Sequence, residues 1–179
     1  MRFKSTLAGI LIALSGCNTL KVGISSGTSM GVAKEGAILA RPLYFNASVE
    51  LNEQLNISKK AGTVEGSIEV FHVQYEEPKK GFLSGLGIMG RYLTPTKPIE
   101  FYAEAGAGPA YLGIQTREQG DPGFNFYDQF GCGIRYALSE SASITGGYRY
   151  AHISHGRLRR TENRGLNTHS AIVGLQIKY

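Results

Sequence analysis

The chain has 179 residues, a formal net charge of +5, 24 glycines, 10 tyrosines, 8 phenylalanines, no tryptophan and two cysteines. This length suits one domain, and so few cysteines exclude a disulfide-stapled scaffold. The mild basic excess suits a polyanionic partner, nucleic acid or anionic lipid, and glycine with aromatics and no strong helical period points to β structure.

Residues 1–16 read as a signal peptide. Arg2 and Lys4 supply the charged start, and "LAGILIALSG" supplies an apolar stretch of ten residues, too short for a spanning helix. The next step, "LSGC" from Leu14 to Cys17, resembles a bacterial lipobox. That would put cleavage before Cys17 and a lipid on its sulfur; ordinary cleavage nearby is the alternative. Residues 17–179 then form the mature domain. With Cys17 lipidated or removed, Cys132 stands alone.

Beyond residue 17 no apolar run reaches eighteen residues, which excludes helical membrane spans. Alternation takes its place. In "LYFNASVEL", Leu43, Phe45, Ala47, Val49 and Leu51 share one parity; Tyr44, Asn46, Ser48 and Glu50 share the other. "FGCGIRYAL" and "SAIVGLQIKY" alternate in the same way. A period of two is that of a strand with one apolar face. Eight such segments are expected, near 19–26, 37–51, 62–76, 82–94, 99–112, 124–138, 142–155 and 168–179. The first is short and weak, and His72 and Gln74 interrupt the third. "EEPKKG", "TPTKP", "EQGDPG" and "LSESA" carry turn chemistry between them.

Eight strands, a signal peptide and the closing aromatic Tyr179 predict an all-β fold: an eight-stranded antiparallel transmembrane β-barrel of the bacterial outer membrane. Closure is required because lipid offers no partner to a free strand edge. A barrel of this size is filled by side chains. Glu104, Gln129, Arg135 and Arg149 fall on the inward parity as a self-compensating network. Inward glycines, among them Gly131, Gly133 and Gly147, would leave them room. The alternative is a soluble β-sandwich or lipocalin-like barrel, which would hide the apolar parity inside. With both termini in the periplasm, strand seven runs outward, and 156–167 becomes the last extracellular loop.

Strand seven poses a chemical question. Ile144, Tyr148, Tyr150, His152 and Ser154 share the lipid-facing parity, and a polar pair there is costly unless it has partners and a task. Residues i and i+2 of a strand lie about 6.5–7 Å apart, a gap that side chains can close. Ser154 would attack a carbonyl, with His152 as general base and then acid. No Cys/His group has zinc spacing, and His152 and His155 point to opposite faces. Neither metal nor cofactor is expected.

The stretch "HISHGRLRRTENRGLN" resembles the signature of the lipid A 3-O-deacylases: His-x-Ser-Asn-Ala, a short loop, then Asn-x-Gly-x-Glu or Asn-x-Gly-x-Asn. The resemblance implies an outer-membrane esterase that hydrolyses the 3-O-linked hydroxyacyl chain of lipid A at the outer leaflet. It implies Ser154 as nucleophile, His152 as base and Asn167 as the orienting third member, with Glu162 as the alternative. Asn163 and the amide of Gly156 would form the oxyanion hole. His155 and Gly156 depart from the usual Asn-Ala. Arg157, Arg159, Arg160 and Arg164 would grip lipopolysaccharide phosphates, with Lys79 and Lys80 adding to the field. Lipid A and outer-membrane lipid are then the expected partners, nucleic acid is not, and a homodimer is left open. The rival functions are a non-catalytic structural or adhesive barrel and an acyltransferase using the same nucleophile.

Overall fold

The computed structural model describes residues 19–179; the expected signal peptide and Cys17 lie outside the described residues. Eight strands follow one another: β1 (Leu20–Ala33), β2 (Gly36–Glu50), β3 (Thr63–Glu77), β4 (Gly81–Leu93), β5 (Ile99–Leu112), β6 (Gly123–Ala137), β7 (Ala142–Ser154) and β8 (Leu166–Lys178). Each pairs with its chain neighbour, and β1 pairs with β8 from Lys21↔Lys178 to Gly31↔Thr168, closing the barrel. Every ladder is antiparallel.

β1 is 14 residues long, well beyond the 19–26 that its sequence suggests. Its second half, "GTSMGVA", is a poor strand by composition. It is held on both sides, by β2 and by β8, because a barrel in lipid tolerates no unpaired edge. The interruption in β3 also has a simple origin. Glu65, Glu69, Phe71, Val73 and Tyr75 point inward and are buried, so His72 and Gln74 point outward with Ile68 and Val70.

Both ends of the described residues and the connections 51–62, 94–98 and 138–141 lie at one end, the terminal end. The connections 34–35, 78–80, 113–122 and 155–165 lie at the other, the loop end. The wall between them is apolar outside: Ile24, Phe45, Val70, Ile88, Phe101, Phe130, Ile134 and Val173 are all exposed. The lumen holds the charge. This is the reverse of a soluble barrel and removes that alternative.

The lumen is packed in layers. Towards the terminal end Arg135 bridges Glu65 at 2.7 Å and Glu100 at 2.8 Å, and Lys21 also bonds Glu65. In the middle Arg149, 1 % exposed, donates to Glu104 at 2.8 Å, Glu69 at 2.9 Å and Gln129 at 3.1 Å. Its guanidinium also stacks 4.3 Å from the Tyr44 ring centroid. Arg91 reaches the other oxygen of Glu104 at 2.7 Å. Buried ions cost several kcal/mol each unless paired, and here each carboxylate meets a cation. Towards the loop end the filling turns apolar, with Ile38, Phe71, Tyr75, Leu83, Leu112, Ile153 and Leu166.

Two of the inward glycines serve a different neighbour from the one expected, while a Cβ at Gly131 would lie 3.4 Å from Glu104 Oε1. A Cβ at Gly147 would lie 2.2 Å from the Tyr102 hydroxyl, and one at Gly133 would lie 2.7 Å from Tyr102 Cζ. They make space for a tyrosine rather than for the arginines.

Candidate active site

β7 presents its residues alternately, so Arg149, Ala151 and Ile153 are buried in the lumen while Tyr148, Tyr150, His152 and Ser154 lie on the outward wall. The β7–β8 register places Asn167 directly opposite His152 and His169 opposite Tyr150. Nδ1 of His152 lies 2.7 Å from Oδ1 of Asn167. That oxygen only accepts, so Nδ1 carries the proton and Nε2 is left as the basic nitrogen. The Tyr150 hydroxyl donates to the same oxygen at 2.8 Å, and two convergent donors fix the amide. Neither Ser154 Oγ nor His152 Nε2 has a hydrogen-bond partner among the described residues.

The imidazole is confined by Gly165, the residue immediately before β8. Its φ of +77° suits glycine, and a Cβ there would lie 2.3 Å from His152 Cε1. Gly156, at φ +58°, turns the chain out of β7. His155 is wholly buried on the opposite side from His152. Its amide donates to Asn163 Oδ1 at 3.0 Å, and its Nε2 meets the Glu162 carbonyl at 2.8 Å. The histidine therefore staples the 155–165 loop from within.

These contacts divide the expected site. Asn167 is at the imidazole; Glu162 is not. The Glu162 carboxylate is 60 % exposed and pairs with Arg164 at 3.2 Å, turned to solvent rather than to the imidazole. Asn163 sits in the loop with its oxygen occupied. Of the four arginines, Arg159 spends Nη1 on the Asp121 carbonyl and Nη2 on the Gln119 carbonyl at 3.3 Å. With Thr161, which donates to the Gln119 carbonyl at 3.2 Å, it ties the 155–165 loop to the 113–122 loop. Arg157 and Arg160 are exposed.

Three neighbours were not singled out in the sequence: Tyr150 as a donor to Asn167, Gly165 against the imidazole, and Asp128. Asp128 is exposed on the outward face of β6, in direct register with His152. The pattern Phe124, Phe126, Asp128, Phe130 on one parity could have flagged a lone charge among aromatics. The pairing that brings it to His152 could not be read from it.

The wall carries a second outward His–Ser pair. His72 on β3 faces Ser84 on β4, and Nδ1 lies 2.7 Å from Oγ. The ring stacks on Phe82, centroids 5.9 Å apart. No amide or carboxylate holds its other nitrogen among the described residues, and the neighbouring 78–80 connection is only a short turn.

A closed ladder of eight strands, a charged lumen and an apolar outer wall define the class: an outer-membrane β-barrel, with a polar cluster set into its lipid-facing surface. The family described as Lipid A 3-O-deacylase (PagL) matches residues 39–176. The chain belongs to that family, and membership makes it an esterase of the outer membrane whose reaction is lipid A 3-O-deacylation. Among solved structures it resembles Neisserial surface protein A, NspA (TM-score 0.66, 15 % identity, 89 % of this chain and 97 % of that one). It also resembles the outer membrane enzyme PagL (TM-score 0.62, 19 % identity, 85 % and 97 %). The attachment invasion locus protein Ail of Yersinia pestis shares the fold as well (TM-score 0.54, 14 % identity, 90 % and 98 %). No curated protein sequence matches.

Proposed function

We propose that the chain hydrolyses the ester of the 3-O-linked hydroxyacyl chain of lipid A by a serine–histidine mechanism at the outward end of β7. Ser154 Oγ attacks the ester carbonyl, and its proton passes to Nε2 of His152. That proton is returned to the leaving sugar alcohol. Water, deprotonated by the same nitrogen, then releases the fatty acid from the acyl-serine. Asn167 is the positioning residue: it holds the proton on Nδ1 and leaves Nε2 free to act. The amide of Gly156 and the side-chain nitrogen of Asn163 are donors for the oxyanion. Asn163 is suited to this because its oxygen is already anchored on the His155 amide.

The observation that carries this reading is the 2.7 Å contact of His152 with Asn167, on the outward wall two positions from a serine hydroxyl that has no hydrogen-bond partner among the described residues. The Ser154–His152 hydrogen bond forms as substrate closes the site. With the loop end extracellular, the pair meets the outer leaflet, where acyl chains lie against the wall and phosphates lie above it. Among the arginines of this loop, Arg157 and Arg160 are exposed and positioned to meet those phosphates, with the exposed Lys79 and Lys80 at the same end of the barrel.

Purified protein incubated with lipid A is expected to give a product lighter by one hydroxyacyl chain in mass spectra. Ser154→Ala is expected to abolish that product. Undiminished turnover by the alanine variant would overturn the mechanism.

A further inference from the structure

Acidic and basic side chains are rare on the outward wall. Within the strands Arg41, Glu76 and Asp128 occupy outward positions, and Arg41 and Glu76 neutralise each other at 2.8 Å. Asp128 has no cation or hydrogen-bond partner among the described residues. It interrupts an outward file of Phe124, Phe126 and Phe130, all exposed. A bare carboxylate on a lipid-facing strand carries a cost that grows with depth. Its register partner across the β6–β7 ladder is His152. Directly opposed side chains have Cβ atoms about 4.5–5.5 Å apart. His152 is thus flanked by Asn167 on one side and Asp128 on the other.

We propose that Asp128 is a positioning residue that supplies the negative charge the Asn167 side chain lacks. This rests on the serine–histidine reading above. When Ser154 Oγ bonds to the ester carbon, its proton moves to Nε2 and His152 becomes an imidazolium. The neutral amide of Asn167 orients that cation but does little to offset its charge. In this role the Asp128 carboxylate acts as a fixed charge and is not part of the proton transfer. Its field lowers the energy of the imidazolium until the proton leaves with the sugar alkoxide. The gain exists only while His152 is charged, so it acts on turnover rather than on substrate affinity. In an apolar wall a charge at this range is weakly screened.

The test uses the full chain, with purified lipid A as substrate and heat-modifiable gel migration to verify the fold. Asp128→Asn is expected to lower kcat about tenfold or more, with KM within about twofold, and Asp128→Glu to recover most of the loss. In an Asn167→Asp background, where a carboxylate already contacts Nδ1, the same Asp128→Asn change is expected to cost much less. Parental kcat in Asp128→Asn would overturn the proposal, and so would a raised KM at constant kcat, or an equal loss in both backgrounds. Ser154→Ala separates the two readings. If it is inert while Asp128→Asn is fully active, only the role of Asp128 fails; if it is active, both fail.

Discussion

His152 and Asn167 face each other directly across the β7–β8 ladder, with Nδ1 of the one 2.7 Å from Oδ1 of the other. The contact holds a proton on Nδ1 of the imidazole. Asn167→Ala is therefore expected to lower kcat by roughly 10²-fold, the lower range of what a positioned base contributes, with little change in KM. Asn167→Asp is expected to keep activity. Steady-state kinetics on lipid A check both.

Gly165 tests confinement of the same ring. Gly165→Ala combines a φ of +77° with a Cβ 2.3 Å from His152 Cε1. The backbone strain costs about 1 kcal/mol, which a closed barrel absorbs, but the imidazole must move. We expect a folded, heat-modifiable protein whose activity falls about as far as that of Asn167→Ala. Full activity would show that the ring has room that these distances deny it.

The His72–Ser84 pair is an internal control. It makes the hydrogen bond that His152 and Ser154 do not, at 2.7 Å, but it lacks an orienting acceptor and an overlying long loop. Ser84→Ala is expected to leave lipid A turnover unchanged. Loss of turnover would move the chemistry to the opposite wall.

Glu104 anchors the central layer by accepting from both Arg149 and Arg91. Glu104→Ala leaves buried guanidinium charge uncompensated, which costs about 3–5 kcal/mol. Urea unfolding in detergent is expected to shift by that amount. Arg164→Ala, which breaks a pair 61 % and 60 % exposed, is expected to shift it by less than about 1 kcal/mol.

The arginines of the 155–165 loop separate by what they touch. Arg157→Ala and Arg160→Ala are expected to raise KM for lipid A, more at low salt than at high, because screening weakens exposed charges. Arg159→Ala is expected instead to expose the 113–122 and 155–165 loops to protease, since its donors hold the Gln119 and Asp121 carbonyls.

Much of this architecture was legible as alternation. Side chains of a strand change face at every residue, so the inward Glu104, Gln129, Arg135 and Arg149 and the outward Tyr148, His152 and Ser154 follow from parity once the strands are drawn. β1 was the weakest reading. Its partners, not its own residues, hold its second half, and pairing partners are not written locally. The Asn167 position was visible only through a motif resemblance.

The sequence by itself determined the number of strands, the two faces of each, and the presence of histidine and serine on one face. It did so because a period of two is a local property of the chain. Only the tertiary structure decided which residues meet across the ladders: Asn167 and not Glu162 at the imidazole, Asp128 on its other flank, Arg159 tied to a neighbouring loop. Register depends on how eight strands close on one another, and a shift of one residue would turn Asn167 or Asp128 to the other face.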